Sequence, residues 1–238
     1  MDRERQDGQH GQDGQEGKDT EAEHQRKFAR GVGPRRKVRK VDLMLRVALT
    51  GGAATGKSYV LEQFRKHGVP CLVADDLAHG VTAAGTEATA AIGARFGTEV
   101  IAADGSVDRN ALGAIVFADA TARRDLEAIV HPAVYRAIQV GLRAFEKSGD
   151  PLAVVEIPLL YESGHADDFD RIIVTACSDE TQLRRLMDRG LSDVRARQVI
   201  AAQMSTAEKT ARADFVIHTD GDKLDTAARV RDILNRLR

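Results

Sequence analysis

From residue 44 onward, short apolar runs alternate with stretches whose apolar residues recur every three or four positions. Residues 45–49 (Leu-Arg-Val-Ala-Leu) predict a buried strand. Residues 58–67 place Val60, Leu61 and Phe64 on one helical face, and Gly68 follows as a cap. Residues 69–74 predict a second strand. No long strand-like run occurs between 76 and 148, where helical spacing is read at 88–96, 109–117, 123–130 and 134–145. Further strands are expected at 152–157, 171–176 and 214–218, and helices at 181–189, 193–210 and 223–237. Strands alternating with helices imply an α/β fold whose parallel sheet is covered on both faces. The stretch from 76 to 148 is too long for one crossover and reads as a helical insertion between strands.

Composition changes this picture in only a few places. Hydrophobic residues are 42% of the chain and charged residues 30%, which supports a globular core. A net charge of -1 argues against a generic nucleic-acid binder, which carries a strongly basic domain. The two cysteines, Cys71 and Cys177, lie far apart in apolar surroundings, so neither a disulfide framework nor a metal spacing is read. No apolar run approaches the 18 or so residues that span a bilayer. Residues 1–27 contain no Val, Ile, Leu or aromatic residue, so no signal-peptide core is present there. The expectation is a soluble, cytoplasmic protein with no membrane partner.

Residues 1–43 differ in kind. Gly8, Gly11, Gly14 and Gly17 recur at every third position, and a basic run covers 35–40. This composition predicts a disordered, low-complexity basic extension, because it buries too little apolar surface to offset chain entropy. Met44 directly precedes the first strand, so an alternative start there makes 1–43 an upstream extension.

The strongest chemical signal is Gly51-Gly52-Ala53-Ala54-Thr55-Gly56-Lys57-Ser58, which fits G-x-x-x-x-G-K-[ST]. A random chain of this length meets that pattern roughly 1% of the time, and the strand before and helix after it narrow the chance further. Successive backbone N–H groups in such a loop form a nest for anions, and the following helix aims its positive end at them. Lys57 reaches the β and γ oxygens of a nucleotide, the Ser58 hydroxyl suits Mg²⁺, and Tyr59 is counted within the nucleotide site. The N-K-x-D and D-x-x-G strings of GTPase switches are absent. The second motif of motor ATPases, four apolar residues running into Asp-Glu, is lacking too; the nearest candidate, Ala153-Val154-Val155-Glu156, continues as Ile157-Pro158. A small-substrate kinase remains. Arg184, Arg185, Arg189, Arg195 and Arg197 suit a mobile lid over transferring charge, with an exposed charged helix face as the plainer reading.

Several further segments, taken in order, resemble the dephospho-CoA kinase family. They are Val47–Gly52 leading into Gly56-Lys57-Ser58, Ala74-Asp75-Asp76-Leu77-Ala78, Asp104–Arg109 with Val116-Phe117, and Leu126–Pro132. Glu156-Ile157-Pro158-Leu159-Leu160-Tyr161-Glu162, Ala201-Ala202-Gln203-Met204 and Lys209 with Ala213-Asp214 complete the set. The resemblance runs from 45 to about 233. It implies a P-loop NTPase-type three-layer parallel sheet with a helical substrate-binding insertion and a helical lid. The implied division is a core sheet in 44–75 and 151–238, a CoA-binding insertion at about 76–150 and a lid at about 184–203.

The implied reaction moves the γ-phosphoryl of ATP to the 3′-hydroxyl of dephospho-CoA. ATP and Mg²⁺ are the cofactors, dephospho-CoA is the partner, nucleic acid is not, and the chain is a monomer or weak homo-oligomer. The resemblance assigns catalysis to Asp75, Lys57 and Arg189. It adds Arg185 to the nucleotide site, Asp75 with Ser58 to the metal, and Asp75, His79, His131, Pro158 and Leu159 to the acceptor. His131 also fits as a core histidine before Pro132. By motif register Asp75 faces the phosphates and Asp76 faces away. Four positions depart from the family pattern. Val73 stands for a first Asp, and Ala54 for a third glycine, which is tolerable where φ is unstrained. Glu156 stands for Asp, and Val199 for Arg. The alternatives are another small-molecule or nucleoside monophosphate kinase, a non-catalytic nucleotide-binding module, and a nucleic-acid-linked ATPase using segment 35–40.

Overall fold

The computed structural model describes residues 44–238, so the readings of 1–43 and of the basic run concern residues outside the described ones. The elements follow as β1 (Leu45–Gly51), α1 (Lys57–Lys66), β2 (Cys71–Val73), α2 (Ala74–Val81), α3 (Glu87–Phe96), α4 (Arg109–Ala118) and α5 (Ala120–Lys147). They continue as β3 (Leu152–Glu156), β4 (Arg171–Ala176), α6 (Asp179–Asp188), α7 (Asp193–Ala201), α8 (Thr206–Ala211), β5 (Phe215–His218) and α9 (Lys223–Leu237). The five strands are parallel in the order β2-β3-β1-β4-β5. The chain leaves β1 for one side of the sheet and later returns to its other side. The crevice for ligands therefore opens at the carboxyl end of β1, between β3 and β4.

The strands are nearly continuous apolar runs because both faces are covered. On one face Ala48, Ala153, Val155, Ile172 and Val174 pack under α5 through Val134, Ile138 and Leu142. On the other, Val47, Leu49, Val154, Ile173 and Ile217 meet Val60, Leu61 and Phe64 of α1 and Val230, Ile233 and Leu234 of α9. Each such large side chain contributes roughly 1.5–3 kcal/mol on leaving water. A separate apolar cluster (Ile92, Phe96, Val100, Val107, Leu112, Ala122) lies within the helical stretch and gives it a core of its own. Among the described residues no helix is long and apolar enough to cross a membrane.

Three expectations need correction. The second strand is Cys71–Val73, and Ala74 already begins α2, a helix the apolar pattern did not signal. The stretches at 123–130 and 134–145 are one 28-residue helix that continues through Pro132. A proline there forfeits the hydrogen bond to the residue 128 carbonyl, and Pro132 sits on the exposed side, where water can replace that bond. The expected helix 193–210 is two helices. The second starts at Ser205, whose hydroxyl caps the Glu208 N–H while the Glu208 carboxylate accepts from the Ser205 N–H.

Candidate active site

The loop after β1 is held in shape by close approach and by side-chain clamps. Gly51 has φ +151°, and a Cβ there would stand 2.4 Å from Thr175 Oγ1. Gly56 caps α1 at φ +92°, a conformation that glycine adopts at little cost and other residues do not. Ala54 also adopts the left-handed region, at φ +58°, so the condition under which alanine is tolerated there without strain is not met. Its methyl is buried with Leu186 and Ala196, which holds it there. Thr55, expected in the nucleotide site, turns its side chain inward. Its hydroxyl donates to Gly52 O (2.8 Å) and meets Thr175 Oγ1 (2.7 Å). Thr219 Oγ1 donates to Thr55 O (2.9 Å). Gln182 Nε2 donates to Ala53 O (2.7 Å), and Gln203 Oε1 accepts from Ala53 N–H (3.0 Å).

Lys57 opens α1 and folds back over the loop, donating to Gly51 O (3.0 Å) and Gly52 O (2.9 Å). Burial pushes its pKa down to about 8, against the opposing pull of the Glu156 carboxylate. Ser58 lies exposed in the first turn of α1, beside the loop. Tyr59 points elsewhere: its hydroxyl donates to Lys223 O (2.8 Å) and ties α1 to the start of α9. Arg185 is committed to protein carbonyls, donating through Nη1 to Ala54 O (3.3 Å) and Thr219 Oγ1 (3.0 Å) and through Nη2 to Thr219 O (2.5 Å). It braces the loop from outside.

A cleft of about 310 Å³ opens beside this loop, walled by Asp75, His131, Tyr135, Pro158, Leu159 and Gln203. Asp75 stands in the first turn of α2, at the carboxyl end of β2. Asp76 is turned about 100° from it by helical geometry and does not line the cleft. Asp75 acts on both Lys57 and Glu156 through its charge. Glu156 is buried at the end of β3, and burial raises its pKa while Lys57 opposes the rise. His131 lines the cleft from α5, so it belongs to the cavity wall and not to a closed core. His79 does not line it. Arg109 Nη1 can only donate, so His79 Nε2 accepts from it (2.7 Å) and the Nδ1–H donates to Asp75 O (2.7 Å). Its link to the cleft runs through the backbone of Asp75.

The turn carrying Pro158 and Leu159 is pinned from below. Lys209 is fully buried, pairs with Glu162 Oε1 (2.8 Å) and donates to Pro158 O (3.0 Å). Thr50 Oγ1 donates to the same carbonyl (3.2 Å). Burial acts to raise the Glu162 pKa, but bonds from Lys209 and the Met204 N–H outweigh it and leave the carboxyl below its usual range. Gln182, Gln203, Thr175 and Thr219 were not singled out as site residues. Gln203 lay in the 201–204 segment of the family resemblance without a role given to it, and Gln182, Thr175 and Thr219 carry no sequence signal beyond an amide or a hydroxyl.

Over the loop, α6 and α7 pack through Leu186 and Ala196, with Val199 joining that apolar contact in place of a charge. Arg184, Arg189, Arg195 and Arg197 are exposed. Arg197 pairs with Asp193 within α7 (2.8 Å), and Arg195 lies over the Phe117 ring of α4 at 6.0 Å. Arg189, at the end of α6, is near enough for its charge to lower the Lys57 pKa. Among the described residues no cluster of three or more His, Cys, Asp or Glu could hold a metal alone. Ser58 and Asp75 offer oxygen donors, a chemistry that fits a hard cation shared with phosphates, which is how Mg²⁺ is usually held.

Comparison with known proteins gives a consistent result. Residues 45–225 match the family model for dephospho-CoA kinase. A dephospho-CoA kinase from Shouchella clausii is 42% identical over 191 residues, which are 80% of this chain and 97% of that protein. One from Geobacillus kaustophilus is 41% identical over 195 residues, 82% of this chain and 97% of its own length. The solved structure of TT1252 from Thermus thermophilus superposes with a TM-score of 0.71 at 33% identity, covering 82% of this chain and 98% of that one. The dephospho-CoA kinase of Campylobacter jejuni gives 0.64 at 27% identity, with 81% and 96% covered.

Proposed function

The chain belongs to the dephospho-CoA kinase family, and from that premise we propose how its residues divide the work of moving the γ-phosphoryl group of ATP to dephospho-CoA. It is an ATP-dependent kinase of coenzyme A biosynthesis. The loop 51–58 seats the β- and γ-phosphates on its backbone N–H groups and on the positive end of α1. Lys57 then exchanges the Gly51 and Gly52 carbonyls for phosphate oxygens. Asp75 accepts the proton of the 3′-hydroxyl. That oxygen bonds to the γ-phosphorus as the bond to the bridging oxygen breaks, and ADP leaves. Arg189, free of a carbonyl partner of the kind that occupies Arg185, neutralises the transferring charge. When bound, Mg²⁺ offsets phosphate charge, with Ser58 and Asp75 as its protein oxygens.

The segment 76–150 binds the acceptor, with His131, Pro158 and Leu159 on the cleft wall, and 184–203 acts as the lid. Residues 44–75 and 151–238 supply the sheet. The observation that supports this reading is that Asp75 lines the cleft and acts on Lys57 through its charge, while Gln203 of the same wall is bonded to the loop at Ala53. ADP release measured with dephospho-CoA, AMP, shikimate and single-stranded DNA as separate additives tests it. Dephospho-CoA alone should accelerate release. Equal or greater acceleration by AMP or shikimate would overturn the acceptor assignment.

A further inference from the structure

Gln203 lies in the four-residue break between α7 and α8, and its side chain reaches across to the phosphate loop. Ala53 N–H can only donate, so the amide atom 3.0 Å from it is the carbonyl oxygen. That contact fixes the orientation of the whole planar amide. Nε2 is the other branch of the same planar amide, and its two hydrogens have no protein acceptor among the described residues. Gln203 lines both the acceptor cleft and a second cleft of about 340 Å³ beside Gly52. It thus borders both clefts at the edge of the phosphate loop. The next residue is locked as well: Met204 N–H donates to Glu162 Oε1 (3.0 Å), the oxygen that also holds Lys209. The break is therefore clamped on its loop side by Gln203 and on its acceptor side by Glu162.

We propose that Gln203 binds the γ-phosphoryl group, its Nε2 donating to a γ-oxygen while its Oε1 stays on Ala53 N–H. This rests on the kinase reading above. A side chain needed only to brace the loop would require the acceptor oxygen alone; glutamine adds a neutral pair of donors beside the phosphate loop, at the border of the acceptor cleft. Hydrogen bonds to charged oxygens are worth about tenfold or more in affinity. A contact made only to the γ-group distinguishes ATP from ADP.

The test compares binding of ADP and of a non-transferable β,γ-imido ATP analogue by calorimetry, in wild type, Gln203→Met and Gln203→Glu. Glutamate keeps an oxygen for Ala53 but replaces both donors with negative charge. Gln203→Met should weaken the ATP analogue about tenfold and leave ADP within about twofold, and Gln203→Glu should weaken the analogue further. The kcat for dephospho-CoA should fall about tenfold or more in both, with a smaller change in its KM. Equal weakening of both nucleotides, accompanied by a lower Tm, would reduce Gln203 to a loop brace and overturn the proposal. Unchanged binding of both would do the same. The nucleotide measurements contain no acceptor, so a wild type that discriminates ATP through Gln203 but fails to phosphorylate dephospho-CoA would overturn the acceptor reading and leave this one standing.

Discussion

Nucleotide binding should be accompanied by proton uptake at Lys57. In the ligand-free site burial holds this lysine at a pKa of about 8, well below its usual 10.5. Its ammonium is therefore about half neutral at pH 8 and about nine-tenths neutral at pH 9. Phosphate oxygens replacing the Gly51 and Gly52 carbonyls favour the charged form and restore the ordinary value. Binding of ADP should then take up about half a proton at pH 8 and close to one at pH 9. The apparent Kd should rise about fivefold over that interval. Calorimetry in two buffers of contrasting ionisation enthalpy reads the uptake directly, and above pH 8 the phosphates themselves no longer titrate. Lys57→Arg keeps a permanent charge and should bind without uptake. Uptake below about 0.2 proton at pH 9, or undiminished uptake in Lys57→Arg, would refute the argument. The same depression has a sign for the free protein: an unfolded lysine still holds its proton between about pH 8 and 10.5, so folding stability should increase as pH rises through that window.

Asp75→Asn keeps size but cannot accept a proton and should lower kcat by about 10²–10⁴ with ADP affinity little changed, whereas Asp76→Asn should stay close to wild type; a dead Asp76 variant beside an active Asp75 variant would reverse the register. Ala54→Gly relieves a left-handed φ that costs an alanine roughly 1–2 kcal/mol, so its Tm should match or exceed wild type, while Ala54→Val should lose several degrees. A glycine variant as unstable as the valine one would remove the strain argument. Glu162→Ala leaves the Lys209 ammonium buried without its carboxylate and should cost about 3 kcal/mol in urea unfolding; a loss under about 1 kcal/mol would mean that the pair carries little. Hydrogen exchange across 184–197 should slow with an ATP analogue and slow again with dephospho-CoA, and identical exchange in all three states would mark this segment as an exposed helix face.

Much of the sheet is legible because parallel strands covered on both faces are unbroken apolar runs, and Leu152–Glu156 and Arg171–Ala176 follow that rule closely. The phosphate loop is legible for a different reason: its glycines and lysine are required by backbone geometry and charge, not by packing. Helix α2 escaped notice because it is short and opens with Asp75-Asp76, which serve a turn equally well. The apolar spacing was read as two stretches on either side of Pro132, a residue type that usually ends a helix, yet here the lost bond falls on the exposed side and the helix continues. The division between α7 and α8 was readable in Ser205-Thr206-Ala207-Glu208, a capping pattern overshadowed by the continuing helical spacing. The clamps on the loop were not readable as clamps, although Gln203 stood in one segment of the family resemblance. Gln182, Gln203 and Thr219 have ordinary amide and hydroxyl side chains whose partners are set by topology, across 129, 150 and 164 residues of chain.

That last separation has a consequence for the order of events during synthesis. The phosphate loop leaves the ribosome early, but Thr219, which holds the Thr55 carbonyl and anchors Arg185 against Ala54, is translated 164 residues after Thr55. At ordinary elongation rates that is on the order of ten seconds in which the loop sequence exists without its brace. Ala54 has no reason to enter a left-handed conformation until α6 and β5 are in place. Nascent chains that end before residue 219 should therefore carry the complete nucleotide motif and yet fail to retain ATP, so ligand capture marks completion of the chain.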